Sequence, residues 1–194
     1  GSLMAHRVLA AQALCAFAVA AGVAGSAAPS IAQPARPQRP RTLECGAAKR
    51  TSAWDEQWLM SGIEGDRFEI QGGRLAQTKG ATPAAQALGS RLVQDHTASL
   101  RDARRAAVRF GLTVPKSPSP SQQWELRTVG ALSGAEFDRS YADLEVQDHI
   151  QDIQESKAEV SKGCNTTVRG LARSDLPVLR RHLALARRVK ASGA

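Results

Sequence analysis

The sequence lacks the short motifs that mark the common catalytic sites. Its 194 residues contain no nucleophile elbow, no phosphate-binding loop, no Cys-x-x-Cys pair and no dinucleotide fingerprint. These absences count against serine hydrolases, P-loop nucleotidases, dithiol oxidoreductases and nucleotide-dependent dehydrogenases. We therefore expect a non-catalytic protein more readily than an enzyme.

Long apolar runs are also scarce, and the one uncharged run lies near the N-terminus at residues 8–23. His6 and Arg7 precede it, and the small-x-small sequence SIA at 30–32 follows it. This order is typical of a signal peptide cleaved before Gln33, and a retained membrane anchor is the alternative. Residues 1–3 precede Met4 and resemble a cloning scar. We expect residues 1–32 to be removed on export to a periplasmic, envelope-associated or extracellular location.

Cysteine is rare, and only Cys45 and Cys164 follow the predicted cleavage site. An even pair in an oxidising compartment predicts a disulfide. The alternative is two free thiols or intermolecular pairing.

Positive charge is in excess. The whole chain carries a net charge of +8, and loss of Arg7 would leave +7. Residues 33–51 form a predicted tether that begins Pro- and Arg-rich, and four arginines form a candidate anion-binding segment near the C-terminus. These are Arg180, Arg181, Arg187 and Arg188. An anionic envelope polymer or lipid surface would suit them, whereas a solvated helix face is the simpler interpretation. No feature indicates specific nucleic-acid binding.

Residues 52–192 have helical apolar spacing and no convincing strand pattern. The predicted helices span 52–79, 83–110, 134–162 and 166–190, with a short helical stretch at 122–132. Ser52 and Thr82 are predicted N-caps, and Gly80 and Gly111 are predicted stops.

Two further local signals lie in the second half of the chain. The sequence SGAE at 133–136 predicts a capping box. Pro177 should kink the last helix or begin a new segment.

The connection at 112–133 is 22 residues long, which is too long for a simple antiparallel hairpin. A helix of 28 residues is about 42 Å long, and a partly extended connection can travel that distance. An up-down-up-down bundle would place Cys45 and Cys164 at opposite ends. A ferritin-like bundle with a long crossover between the second and third long helices would make them neighbours. We therefore predict an all-α, ferritin-like four-helix bundle.

Four side chains are predicted to meet near the middle of this bundle. They are Glu69, His96, His149 and His182. Each lies on a different helix, about 20–25 Å from its helix end. Such N/O ligation suits zinc, copper or iron. Asp95, Glu145 and Asp148 lie close enough in sequence to complete or orient a metal site.

Two other interpretations of this cluster remain open. A buried Glu–His hydrogen-bond network could fix the helices without a metal ion, or the histidines could be unrelated. The Glu-x-x-His pattern of di-iron bundles is missing, because Val93, Val146 and Leu179 occupy the positions three before each histidine. This absence excludes an ordinary ferroxidase centre.

Several motifs resemble a bacterial family of exported, ferritin-like proteins of unknown function, often labelled predicted outer membrane proteins. The similar pieces include LVQDH at 92–96, FGLTVP at 110–115, LSG at 132–134, DH at 148–149 and LP at 176–177. The resemblance covers about residues 54–189. It implies a ferritin-like bundle and an envelope or extracellular location, and it implies no reaction.

Our first functional hypothesis is an exported protein whose buried Glu/His cluster holds a transition metal for metal handling or stress tolerance. A metal-dependent oxidoreductase is the second. A non-catalytic interaction module that binds anionic envelope components is the third.

Overall fold

The computed structural model describes Cys45 and residues 50–192. The predicted signal peptide and most of the predicted tether lie outside the described residues, so both stay predictions. The described part contains helices and no strand. The five helices are α1 (Ala53–Lys79), α2 (Pro83–Arg109), α3 (Pro120–Gly130), α4 (Gly134–Lys162) and α5 (Thr166–Ala191). The prediction of an all-α fold is confirmed.

The predicted caps explain where the first two long helices begin and end. The Ser52 hydroxyl accepts from the backbone N–H of Asp55, whose carboxylate accepts from the backbone N–H of Ser52. Thr82 caps α2 through the N–H of Ala85. Gly111 follows α2 with a φ of 73°, a left-handed conformation that glycine adopts without steric cost.

One local prediction in the second half was wrong, and one alternative of another is excluded. Ser133 precedes α4 but makes no side-chain cap hydrogen bond. Gly134 has a φ of 61°, which departs from the helical backbone that a capping box requires. Pro177 begins no new segment, because α5 runs through it.

The chain has the crossover topology. At one end of the bundle, the backbone N–H groups of Ala81 and Thr82 donate to Asp138 near the start of α4, both at 2.9 Å. At the other end, Cys45 and Cys164 form a disulfide. Helix α4 therefore runs antiparallel to α1, as predicted from the connection length and the cysteine pair.

A buried aspartate reinforces the disulfide end. Asp55 accepts from the backbone N–H groups of Cys164 at 2.9 Å and Asn165 at 3.0 Å. It therefore joins the start of α1 to the start of α5.

Two apolar clusters fill the ends of the bundle and leave a polar layer between them. One includes Leu88, Phe137 and Tyr141 near the α1–α2 turn, and the other includes Leu59 and Ile63 towards the disulfide. The predicted histidines and Glu69 lie at intermediate height. None of the described helices combines the length and apolar character needed to cross a membrane.

The small-residue face of α1 contacts α2 closely at one point. A Cβ added at Gly73 would lie 2.6 Å from the carbonyl oxygen of Gly89, and a Cβ at Gly89 would lie 2.5 Å from that of Gly73. Gly62 and Gly65 have no comparable crowding. The close approach of α1 to α2 therefore requires glycine at Gly73 and Gly89.

Candidate metal centre

Three histidines from α2, α4 and α5 meet in the polar layer. His96 is 6% exposed, and His149 and His182 are fully buried. The ring centroids are 5.9 Å apart for His96 and His149, and 5.2 Å apart for each of the other two pairs. One nitrogen from each ring lies within 4.8 Å of the others, so the three rings could hold one ion.

Hydrogen bonds fix the tautomers of two of these rings. His149 Nδ1 lies 2.9 Å from the backbone oxygen of Glu145, one turn earlier on α4. A carbonyl oxygen only accepts, so Nδ1 carries the hydrogen. His182 Nε2 lies 2.8 Å from Asp95 Oδ2. Burial alone would raise the pKa of Asp95, but His182 and Arg91 lower it, so an ionised Asp95 accepts the Nε2–H of His182.

The remaining nitrogens of these two rings face each other. His149 Nε2 and His182 Nδ1 are 3.2 Å apart, and in the neutral tautomers both present lone pairs. Burial, reinforced by the other histidines, lowers the pKa of His149 to about 3. Burial and the charge of His96 lower that of His182 to about 4, although Asp95 opposes the change. A shared proton is therefore disfavoured at neutral pH.

The spacing of this pair suits a metal ion. Two Zn–N bonds of about 2.05 Å at a tetrahedral angle place the nitrogens about 3.3 Å apart. The observed separation between His149 Nε2 and His182 Nδ1 is 3.2 Å. A cation bound to both lone pairs would also remove their mutual repulsion.

His96 supplies the third nitrogen. Its Nδ1 lies 2.8 Å from Asp66 Oδ1, and its Nε2 is buried without a hydrogen-bond partner. Burial alone would lower the pKa of His96, but the hydrogen bond and charge of Asp66 raise it above the ordinary value. Anchoring one ring nitrogen on a carboxylate or carbonyl is the usual support for a metal-binding histidine, and all three rings have such an anchor.

Two carboxyl groups lie on the other side of His149. Glu69 Oε1 is 3.9 Å and Glu145 Oε2 is 3.5 Å from His149 Nδ1. All four carboxyl oxygens are buried without a hydrogen-bond partner. Burial and the charges of Glu145 and Asp148 raise the pKa of Glu69 well above its usual value. Burial, with the charge of Asp148, raises the pKa of Glu145 to about 8, so the pair resists full ionisation.

The structure divides the predicted four-residue cluster into two overlapping groups. His96, His149 and His182 form one group, and Glu69, Glu145 and His149 form the other. The sequence placed Glu69 with all three histidines because helix height alone does not tell which side of a ring a carboxylate occupies.

The supporting residues were predicted in part. Asp95 contacts His182 rather than its sequence neighbour His96, and Asp148 is a charged neighbour of Glu69. Asp66 was missed as the partner of His96. The available signal was its position one helical turn before Glu69.

The arginines of the predicted anion-binding segment are outside the buried centre, although Arg181 directly precedes His182 in the chain. Arg180, Arg181, Arg187 and Arg188 are all exposed on α5. Their binding to an anionic surface stays a prediction.

Comparison with known proteins establishes the family. The crystal structure of a DUF305 fragment from Deinococcus radiodurans is similar, with a TM-score of 0.66, 12% sequence identity, and coverage of 74% of this chain and 99% of that chain. At that identity the likeness shows only the helical, ferritin-like fold. No protein of curated function is significantly similar to the chain. Residues 41–189 match DUF4142, a domain of unknown function, and the protein therefore belongs to the DUF4142 family.

Proposed function

We propose that the three-histidine centre binds one transition-metal ion and that the protein handles this metal outside the cytoplasm. The pair of facing lone pairs on His149 and His182 carries this proposal. The atoms His149 Nε2 and His182 Nδ1 are held 3.2 Å apart in tautomers that leave no hydrogen between them, and a metal ion is the partner that this arrangement suits.

The donor atoms indicate the class of metal. Neutral imidazole nitrogens suit zinc, copper, iron and nickel, whereas calcium and magnesium prefer oxygen. The spacing of the pair fits tetrahedral zinc, and we use Zn²⁺ as the probe. Three protein ligands leave a fourth position for an exchangeable ligand, which is consistent with an ion that is taken up and released.

The proposed location depends on independent features. The Cys45–Cys164 disulfide is characteristic of an oxidising compartment. The apolar segment at residues 8–23, with the small-x-small sequence at 30–32, supports export. Together these features favour a periplasmic, envelope-associated or extracellular protein.

A metal-free polar network is the competing account. It must place one additional proton between His149 and His182, although burial disfavours charge on both rings. It also gives His96 Nε2 no protein partner, so a water molecule would have to take that role. A single metal ion would satisfy all three nitrogens.

Elemental analysis tests the proposal. The protein is equilibrated with Zn²⁺, freed of unbound metal and compared with His96→Ala/His149→Ala. We expect one zinc per wild-type chain and none in the double variant. Glu69→Gln is the control, because its carboxyl lies outside the three-nitrogen group, and it should retain zinc. Equal zinc content in wild type and the folded double variant would leave the polar network as the better account.

A further inference from the structure

A water-accessible cavity of about 340 Å³ adjoins the histidine centre. Its lining includes His96 and His182, which are buried. It also includes Gly62, Ser121 and Gln151, which are exposed and mark its opening to solvent. The cavity therefore connects the surface to two of the three proposed metal ligands.

Acidic residues dominate this cavity although the protein is basic. Nine carboxylate side chains line it, which is half of the 18 in the sequence. The chain has 26 lysines and arginines, yet none is among the described residues that line the cavity. The cavity thus concentrates negative charge inside a chain whose net charge is +8.

Most of these carboxyl groups have no cationic partner, and burial raises the pKa of Asp148 and Asp152. Asp66 pairs with His96, Asp95 with His182 and the exposed Arg91, and Asp102 with Arg101 and Arg105. The other six form no ion pair within the described part of the chain. They are Glu64, Glu125, Asp148, Asp152, Glu155 and Asp175.

The electrostatic effect on one of these groups is large. Burial and the nearby charges of Asp66 and Asp102 raise the pKa of Asp175 to about 7, although His96 opposes the change. Mutual repulsion of this kind is relieved when a cation enters.

A solvated acidic face is the simpler alternative, and a buried nitrogen argues against it. His96 is more than nine-tenths buried, lines the cavity, and has an Nε2 atom with no partner. A buried nitrogen without a partner in that position is a candidate metal ligand. An acidic passage that ends at such a ligand is suited to cations.

We propose that the cavity is the entrance through which divalent metal ions are drawn from solvent and delivered to the histidine centre. This inference rests on the proposed function. Clefts with one sign of charge and low-dielectric walls focus the electric field and raise the association rate of oppositely charged ligands by about 10- to 1,000-fold. The carboxylates would thus offset the repulsion of a metal ion by the basic surface.

The test measures the association rate of Co²⁺ by stopped-flow absorbance at pH 8, where Asp175 is mostly ionised. Glu155→Gln/Asp175→Asn neutralises two unpaired cavity acids. The matched control Glu136→Gln/Asp143→Asn makes the same change of net charge and residue type outside the cavity. Glu136 is exposed, and Asp143 pairs with Lys190 on the surface.

We expect the cavity variant to bind Co²⁺ about tenfold more slowly at low ionic strength, with one Co²⁺ per chain retained. The control should bind at the wild-type rate. The wild-type rate should also fall as salt is added, and the cavity variant should be less sensitive to salt.

The outcomes separate the entrance from the metal site. Equal Co²⁺ association rates for wild type and the cavity variant would refute the proposal that the cavity is the entrance. The same conclusion would follow if the control variant slowed Co²⁺ binding as much as the cavity variant does. If wild type binds no Co²⁺, the proposed function fails, and the entrance fails with it.

Discussion

Replacement of Glu159 by glutamine should make the protein more stable at alkaline pH. Glu159 is fully buried in α4, close to Asp55 at the disulfide end of the bundle. Hydrogen bonds from Ser52 and Asn165 lower the pKa of Asp55 despite its burial. Burial and the interaction with Asp55 raise the pKa of Glu159 to about 8. Glu159 is therefore mainly neutral at pH 7.

The direction of the pH effect follows from this raised pKa. The contribution of protonated Glu159 to stability is complete below the unfolded-state pKa of 4.5. It is lost as the pH rises through the folded-state pKa of about 8. Within this window, each rise of one pH unit lowers the free energy of unfolding by about 1.4 kcal/mol. Between pH 5 and pH 8 the free energy of unfolding should fall on the order of 3 kcal/mol because of this group.

Urea denaturation at pH 5 and pH 8 measures the effect as a difference between proteins. Glu159→Gln removes the ionisable group and keeps the size and polarity of the side chain. The free energy of unfolding of the variant relative to wild type should therefore rise on the order of 3 kcal/mol from pH 5 to pH 8. Glu136→Gln, at an exposed site on the same helix, should show no such rise. If the Glu159→Gln difference is the same at both pH values, the assignment of a neutral buried Glu159 is wrong.

Three further predictions test the packing, the disulfide and the support of the metal centre. Gly89→Ala should destabilise the fold by about 2 kcal/mol, because the added methyl group meets the α1 backbone. Gly62→Ala has open space and should be neutral or slightly stabilising in thermal melts. Equal effects of the two substitutions would contradict the close approach of α1 and α2. Cys45→Ser/Cys164→Ser should lower the free energy of unfolding by about 3–5 kcal/mol, since the bond closes a separation of 119 residues, and reduction should reproduce the loss in wild type only. Asp95→Ala should weaken Zn²⁺ binding about 10- to 100-fold in chelator competition, because His182 loses the partner that orients it. An unchanged Zn²⁺ affinity would show that Asp95 does not support the metal centre.

The helices and their order could be predicted because their signals are local. Ser52, Thr82 and Gly111 act within one turn of the backbone that they cap. The crossover needed one long-range signal, and the pair Cys45 and Cys164 supplied it. The signal at Ser133 was misleading because the positive φ of Gly134 removes the geometry of the cap.

The candidate site could be predicted only at the level of helix height. The sequence placed His96, His149 and His182 in one layer. It could not show that Glu69 lies beside His149 Nδ1 or that Asp66 holds His96, because these contacts depend on helix rotation and on rotamers.

The acidic cavity was missed for a related reason, since its carboxylates come from five helices. The only strong sequence signal lies on α4, where Asp148, Asp152 and Glu155 recur at helical spacing on one face. Such a run usually indicates a solvated surface. The run indicates an acidic cavity only once the fold places the acids of the other helices around it.

X-ray absorption spectroscopy of the zinc-loaded protein tests the central claim most directly. The spectrum should show three imidazole nitrogens at about 2.0–2.1 Å from one zinc per chain, and His96→Ala/His149→Ala should retain no zinc to give such a spectrum. A shell with one imidazole and carboxylate oxygens would instead place the ion at Glu69 and Glu145 and would contradict the three-histidine centre.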